Sequence, residues 1–387
     1  MHLGMTNEQQ MIVKSVRNFV EKELYPHEEE VERTDRVRPE LRQEIIQKAL
    51  QNGFYAANMP EEFGGAGLDA VTLVLMEREL GRTSFALSSL VARPSNILLA
   101  CQGEQVEKYL LPTIVGERIE CLAMSEPNAG SDLRSMETRG VRQGDEVVIN
   151  GVKHFISHAD IADYVILFAA TGEEETPRGL RKKITSFLVD MGTPGFAVKK
   201  GYDVVSHRGY HNCILEFDNC RVPAANILGE EHRGFDVANK WLASTRLSVA
   251  ATCLGRGHRA LELSQQWAAT RKQFGQPIGK FQGVSFKLAD MVAQLRAAEW
   301  LTLDAAWKHD QGLARDEDFA IAKLYATEML AMVTDEAIQI FGGMGLASEN
   351  PIERMWRDAR VERIWDGTSE IQRHIISRAL LRPYEEN

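Results

Sequence analysis

From about Cys121 to Pro223 the chain leaves helical periodicity for short runs rich in β-branched and aromatic residues. This change of period, with helical sequence on both sides, limits the fold more than any other feature. The runs are Glu146 to Ile149, Tyr164 to Ala169, Ile184 to Val189 and Cys213 to Phe217. Asn150-Gly151, directly after the first run, predicts a tight hairpin turn. Upstream, Thr6 and Gln9 form a capping-box pattern, and Leu41, Ile45, Ala49 and Leu50 make an apolar stripe that stops before Gly53. After Val222-Pro223 helical spacing returns, at Leu288, Met291, Val292 and Leu295 and again from Phe319 through Phe341. The order predicts an α+β protein of three units packed as one body: an N-terminal α domain over 1–120, a middle β domain over 121–232 and a C-terminal helical domain over 233–387.

Composition narrows the function classes. With 44% apolar and 26% charged residues, and no apolar run near the roughly 20 residues a span requires, neither a membrane-spanning nor a disordered chain is expected. A formal net charge of −10 argues against nucleic acid as a partner. The cysteines, at 101, 121, 213, 220 and 253, have neither CxxC spacing nor paired histidines, which implies reduced thiols and no metal site. Met1 to Gln10 lacks the pattern of a secretory signal, so the expected location is the cytoplasm of a bacterium, or the mitochondrial matrix for a processed eukaryotic chain.

Five segments carry chemistry. Ser125-Glu126-Pro127-Asn128-Ala129-Gly130-Ser131-Asp132 opens the β unit with small and hydroxylated residues, which suit either close approach to a ligand or a capped surface loop. Lys153-His154-Phe155-Ile156-Ser157-His158 reads as a half-buried strand with Phe155 and Ser157 on one face. Arg271-Lys272-Gln273-Phe274-Gly275-Gln276-Pro277-Ile278, followed by Gln282, is either a helix-breaking turn or a loop that presents a guanidinium fork to a pyrophosphate. Gln339-Ile340-Phe341-Gly342-Gly343-Met344-Gly345 is neither a Rossmann fingerprint nor a P-loop, since no strand precedes it and no Gly-Lys-Ser/Thr follows. Ile364-Trp365-Asp366-Gly367-Thr368-Ser369-Glu370 sets a carboxylate between an aromatic ring and a glycine turn, a pattern suited to a catalytic base.

These segments, in this order and over essentially the whole chain, resemble the acyl-CoA dehydrogenase flavoproteins. The resemblance implies a middle domain with a barrel-like antiparallel sheet, a C-terminal four-helix bundle, FAD as cofactor and a homotetramer. It implies flavin contacts from Met124, Ser125, Gly130, Ser131, Phe155 and Ser157, and from Thr368 and Glu370 after the base. Arg271, Gln273, Phe274 and Gln282 would reach the FAD of a neighbouring subunit, while Gln339, Gly342 and Gly343 complete the cofactor set, the glycines letting the chain pass close to the adenosine half of the flavin. Ser125 for Thr, Phe155 for Trp and Ser157 for Thr keep the role of the family residue, whereas His158 for Asn does not.

By the same resemblance Asp366 removes the α-proton of an acyl-CoA thioester while the β-carbon delivers hydride to the flavin, with the backbone N–H of the base residue helping to hold the thioester oxygen. The family's usual base is Glu. Asp is one methylene shorter, a deficit of roughly 1.5 Å. Thr245 occupies the alternative base position of some family members and cannot act as a base, which leaves Asp366 as the one candidate. Arg246, twenty-five residues before Arg271, matches an arginine near the catalytic centre; a buried structural ion pair is the other reading. Ser131, Thr245, Trp365 and Arg93 complete the implied substrate contacts, Arg93 as an unusual charge in an apolar helix expected from Phe85 to Ala100. The acceptor of the electrons is expected to be an electron-transfer flavoprotein. Alternatives are a flavin oxidase of the nitroalkane oxidase type and a non-catalytic flavin- or CoA-ester-binding relative.

Overall fold

Helix α1 (Asn7–Phe19) begins where the Thr6 side chain accepts from Gln9 N and the Gln9 side chain accepts from Thr6 N, the capping box read from the sequence. In the computed structural model, which describes residues 4–91, 94–177 and 179–385, α2 (Pro39–Gln51) buries Leu41, Ile45, Ile46 and Ala49, and α3 (Ala70–Leu80) starts at an Asp69 cap. The helix expected from Phe85 to Ala100 is instead a single turn, Phe85–Ser88, and a separate 3₁₀ segment, Asn96–Ala100. Pro94 lies between them and has no N–H for a continuous helix. Arg93 lies outside the described residues.

The sheet comprises β1 (Glu120–Ala123), β2 (Arg139–Gln143), β3 (Glu146–Ser157), β4 (Tyr164–Thr176), β5 (Gly179–Asp190), β6 (Phe196–Lys200), β7 (Asn212–Pro223) and β8 (Ile227–Leu228). Its order is β6-β7-β3-β2-β4-β5-β8, with β1 alongside β4. Pairing is mainly antiparallel; β1–β4 and β2–β4 are parallel. On β4, Val165, Leu167 and Ala169 enter a core with Phe187 and Val189, while Tyr164, Ile166 and Phe168 join the core beneath the N-terminal helices. Burial on both faces explains why that run is continuously apolar rather than alternating.

Two expectations for β3 fail. Asn150-Gly151 is not a hairpin turn: the strand runs through it with a register shift against β7, and the hairpin lies at Gly144-Asp145, between β2 and β3. Gly151 is needed for proximity, since a Cβ there would fall 2.3 Å from Thr138 Oγ1. Alternation also breaks at Phe155, whose backbone is left-handed (φ 52°) beside a second register shift between Lys153 and Ile156. Phe155 is exposed and Ser157 half-buried, so the pair does not share one regular strand face.

The C-terminal helices are α4 (Gly234–Thr270), α5 (Gln282–Asp310), α6 (Asp316–Phe341), α7 (Pro351–Glu362) and α8 (Ser369–Glu385). Small residues such as Ala250, Ala251, Ala298, Ala322 and Ala326, filled in by Leu254, Leu295, Met329 and Leu330, let α4, α5 and α6 pack closely. The same device joins the N-terminal helices to this bundle. A Cβ on Gly255 would fall 1.9 Å from Arg78 O, and one on Gly81 would fall 2.4 Å from Thr252 O, so α3 and α4 meet backbone to backbone. Asp310 adds a cap across the same seam, accepting from Ala70 N at 2.8 Å and Val71 N at 3.1 Å. All five cysteines are buried and none is in a disulfide.

Candidate active site

Asp366 sits in the turn between α7 and α8 with a left-handed backbone (φ 52°), followed by Gly367 at φ 91°. A non-glycine residue holds that conformation only when its surroundings enforce it. Here Lys323, fully buried on α6, donates to Trp365 O at 2.9 Å and Gly367 O at 2.8 Å, and Gln372 Nε2 donates to Gly367 O at 2.8 Å. Thr368 Oγ1 caps the start of α8 by accepting from Ile371 N. Turn hydrogen bonds take up the N–H groups of Ile364, Trp365 and Ser369, but that of Asp366 meets no acceptor among the described residues.

The Asp366 carboxyl keeps some surface exposure yet is enclosed by protein, and burial pushes it up to about 6. Lys323, Arg246 and the Thr245 hydroxyl pull it down, and Glu362 pushes it up. Arg246 is buried beside Thr245 on α4, and burial holds its guanidinium below the ordinary arginine range. Its Nε has no hydrogen-bond partner among the described residues, so the structural ion pair weighed from the sequence does not saturate it. A buried donor left open next to a carboxyl of this kind suits an anionic or strongly polar ligand.

Trp365 is held at both ends. Its carbonyl accepts from Lys323, and its indole Nε1 donates to Glu362 Oε2 at 2.8 Å. Phe85 and His207 each lie 4.9 Å from its ring centroid; Phe85 also meets Tyr210 at 4.7 Å, and Tyr210 meets His158 at 4.3 Å. A line of rings thus runs from the base turn to the end of β3. Sequence reasoning named Trp365 but missed Lys323, Gln372, Glu362, His207 and Phe85. Lys323 alone left a readable signal, a lysine four residues after Phe319 on the apolar face of α6.

Met124 to Asp132 and β3 are fastened by one ion pair. Lys153, fully buried, donates to Glu126 Oε1 at 2.7 Å and Met124 O at 2.9 Å, and Glu126 also accepts from Thr138 N. Burial brings the Lys153 ammonium down to about 8 against the pull of Glu126. His154 N donates to Ser125 O. Met124, Ser125, Phe155 and Ser157 are therefore brought together; Gly130 and Ser131 stand exposed at the loop tip, with open space where a Gly130 Cβ would be.

The remaining expected residues gather at the other end of α4. Lys272–Gln273 and Gln276–Pro277 form a two-stranded ribbon whose tip, Phe274-Gly275, has φ 50° and 79° and leaves Phe274 92% exposed. Arg271 lies over the Trp267 ring, which stacks on Phe341 at 4.8 Å, just before Gly342 and Gly343. Gln273, Gln282 and Gln339 are exposed, and so is Glu370, which follows the base turn on α8. Among the described residues no hydrogen bond, ion pair or ring contact joins Arg271, Gln273, Phe274, Gln282, Gln339, Gly342 or Gly343 to Asp366, Phe155 or Ser157. A cavity of about 320 Å³ lies beyond His158, lined among others by Arg36, Arg42, Ala86, Leu90 and His211, and among the described residues none of those expected to touch cofactor or substrate borders it. No helix is long and apolar enough to cross a membrane, and no group of three or more His, Cys, Asp or Glu could hold a metal, among the described residues.

Three family models match in succession: acyl-CoA dehydrogenase N-terminal domain over residues 6–117, middle domain over 121–220 and C-terminal domain over 232–381. A 3-(aryl)acrylate reductase of Clostridium sporogenes is 38% identical over 382 residues, spanning 97% of this chain and 99% of that protein. The butyryl-CoA dehydrogenase of Megasphaera elsdenii superposes with a TM-score of 0.90 at 36% identity, over 99% of this chain and all of that one. An FAD complex of the protein PigA superposes with a TM-score of 0.90 at 30% identity, over 98% of this chain and 99% of that one.

Proposed function

The chain belongs to the acyl-CoA dehydrogenase family of FAD-dependent oxidoreductases that act on CH–CH bonds, and from that premise we propose that it desaturates an acyl-CoA thioester between the α- and β-carbons with Asp366 as base. The observation that carries the assignment is Asp366 itself: a carboxyl held in a left-handed turn, raised to about 6, with Arg246 and Thr245 converging on it. A base poised near neutrality is both ionised and strong enough to take a proton. The open Nε of Arg246 and the unaccepted N–H of Asp366 are donors for the polar end of the substrate, the N–H serving the thioester oxygen as it gains charge. Trp365 walls the acyl group, and Ser131 is assigned to the thioester side.

The residues present fit FAD. The Lys153–Glu126 pair fixes the Met124 to Asp132 loop against Phe155 and Ser157, which would flank the ring, and Thr368 and Glu370 follow the base. When bound, FAD supplies the hydride acceptor. Arg271, Gln273, Phe274, Gln282, Gln339, Gly342 and Gly343 are assigned to a second copy's FAD. Arg246 and Arg271 are twenty-five residues apart along α4, about 37 Å at 1.5 Å per residue, too far to serve one ligand from one chain. A homotetramer supplies the neighbour, and an electron-transfer flavoprotein takes the electrons.

Anaerobic flavin bleaching across straight, branched, cyclic, aryl and dicarboxylic acyl-CoAs tests the reading. One or more should bleach the flavin, and Asp366→Asn should abolish bleaching while retaining FAD. The reductase relative supports a second reading, net reduction of an enoyl group, in which the same Asp366 returns the proton; reoxidation of reduced enzyme by an aryl-enoyl-CoA separates the two directions.

A further inference from the structure

We propose that Glu362 is a positioning residue for the proton transfer, fixing the plane of Trp365 beside the base; this rests on Asp366 being that base. Glu362 is fully buried at the end of α7. Its Oε1 accepts from Arg256 Nη1 at 2.8 Å and lies 3.4 Å from His207 Nε2, while its Oε2 meets one donor among the described residues, the Trp365 indole.

A buried ion pair is weak support for stability, because two well-packed apolar residues often serve as well. The Arg256–Glu362 pair does something apolar residues could not: it holds a hydrogen-bond acceptor at a fixed point under the indole. Trp365 is then pinned by Glu362 at its ring and by Lys323 at its carbonyl, with Phe85 and His207 against the ring. With ring and carbonyl both held, residue 365 is fixed in one place, and the left-handed turn that aims Asp366 follows directly from it. Glu362 and Trp365 are thus a matched pair, since phenylalanine at 365 would leave Oε2 buried without its donor.

The charges bearing on Asp366 include Lys323 from α6, Arg246 from α4 and Glu362 from α7; those bearing on Glu362 include Arg256 and Lys323, with the His207 ring beside its Oε1 and Asp358 acting on Arg256. Glu362 lies near 2 and stays ionised wherever the enzyme works. Its charge favours the protonated form of Asp366.

The test compares wild type with Glu362→Gln, Trp365→Phe, the packed double variant Arg256→Met/Glu362→Met and the triple variant, as FAD-loaded full chains, using an acyl-CoA that bleaches the flavin. Glu362→Gln keeps an acceptor for the indole but removes the charge, so the pH midpoint of bleaching should move down with little loss at its plateau. The double variant should lose roughly tenfold in kcat with KM nearly unchanged. Adding Trp365→Phe to it should lower kcat by a smaller factor than the same change does in wild type, because the hydrogen-bond partner is already gone. If the double variant matches wild type in kcat while Asp366→Asn is inactive, the positioning role is refuted and the base stands, whatever the midpoint does. If Asp366→Asn still bleaches, the base assignment falls and the proposal with it.

Discussion

The Thr245 hydroxyl favours the ionised form of the Asp366 carboxyl, so the residue standing at the family's alternative base position bears on the base. A donor to the anion stabilises it and lowers its pKa. Thr245→Val should therefore raise the pH midpoint of flavin bleaching above that of wild type, with rates converging at high pH where Asp366 is ionised in both. An unchanged midpoint in the pH–rate profile would show that the hydroxyl does not tune the base.

The same carboxyl gives a signed prediction for stability. Its folded-state value, about 6, lies above the ordinary value of 3.8, so the folded protein holds this proton more tightly than the unfolded chain. That contribution is fully present below about 4 and is lost as pH rises through about 6. Asp366→Asn cannot lose it, so the melting temperature of the variant should gain on wild type across that window and the difference should level off above it. Differential scanning calorimetry on both proteins from pH 4.5 to 8 reads this directly.

Removing Lys153 leaves Glu126 buried and uncompensated beneath the Met124 to Asp132 loop. Breaking a buried pair from one side typically costs about 3–5 kcal/mol. Lys153→Met should weaken FAD retention on gel filtration and lower the denaturation midpoint of the apoprotein as well. Glu126→Gln, which keeps an acceptor for Thr138 N, should be milder on both counts.

Gly255 faces the carbonyl of Arg78 with no room for a methyl group. Gly255→Ala should cost about 1–3 kcal/mol or more by forcing α3 and α4 apart. Chemical denaturation measures the loss, and a variant as stable as wild type would mean the two helices do not pack at this distance.

Much of this architecture can be read from local pattern. The change of period at Cys121, the Thr6 cap and the Leu41–Ile45–Ala49 stripe each depend on neighbours in sequence, and each appears as expected. Asn150-Gly151 misled because the same dipeptide suits a hairpin and a bulge, and only Thr138, a dozen residues away, decides between them. The base turn divides in the same way. Asp366, Trp365, Thr245 and Arg246 lie in segments with recognisable spacing, and the fold brings them together. The parts that hold them, Lys323 on Trp365 O, Arg256 on Glu362 and His207 against the indole, join residues 42, 106 and 158 positions apart, and no local pattern encodes such pairings. The left-handed backbone of Phe155 is likewise a product of the register shift in β3, invisible in a strand-like string of letters.

The crossing of α3 and α4 at Gly81 and Gly255 has a mechanical consequence. Two helices in backbone contact have no side-chain layer over which to slide, and α4 is the element that carries Thr245 and Arg246. The stretch of α4 around Thr245 and Arg246 is therefore clamped to the N-terminal helices and does not swing aside to admit a ligand. Entry and exit fall to the loops and ring side chains at the rim, and the rate at which the pocket opens is set by rotamer and loop motion rather than by the breathing of one domain against another.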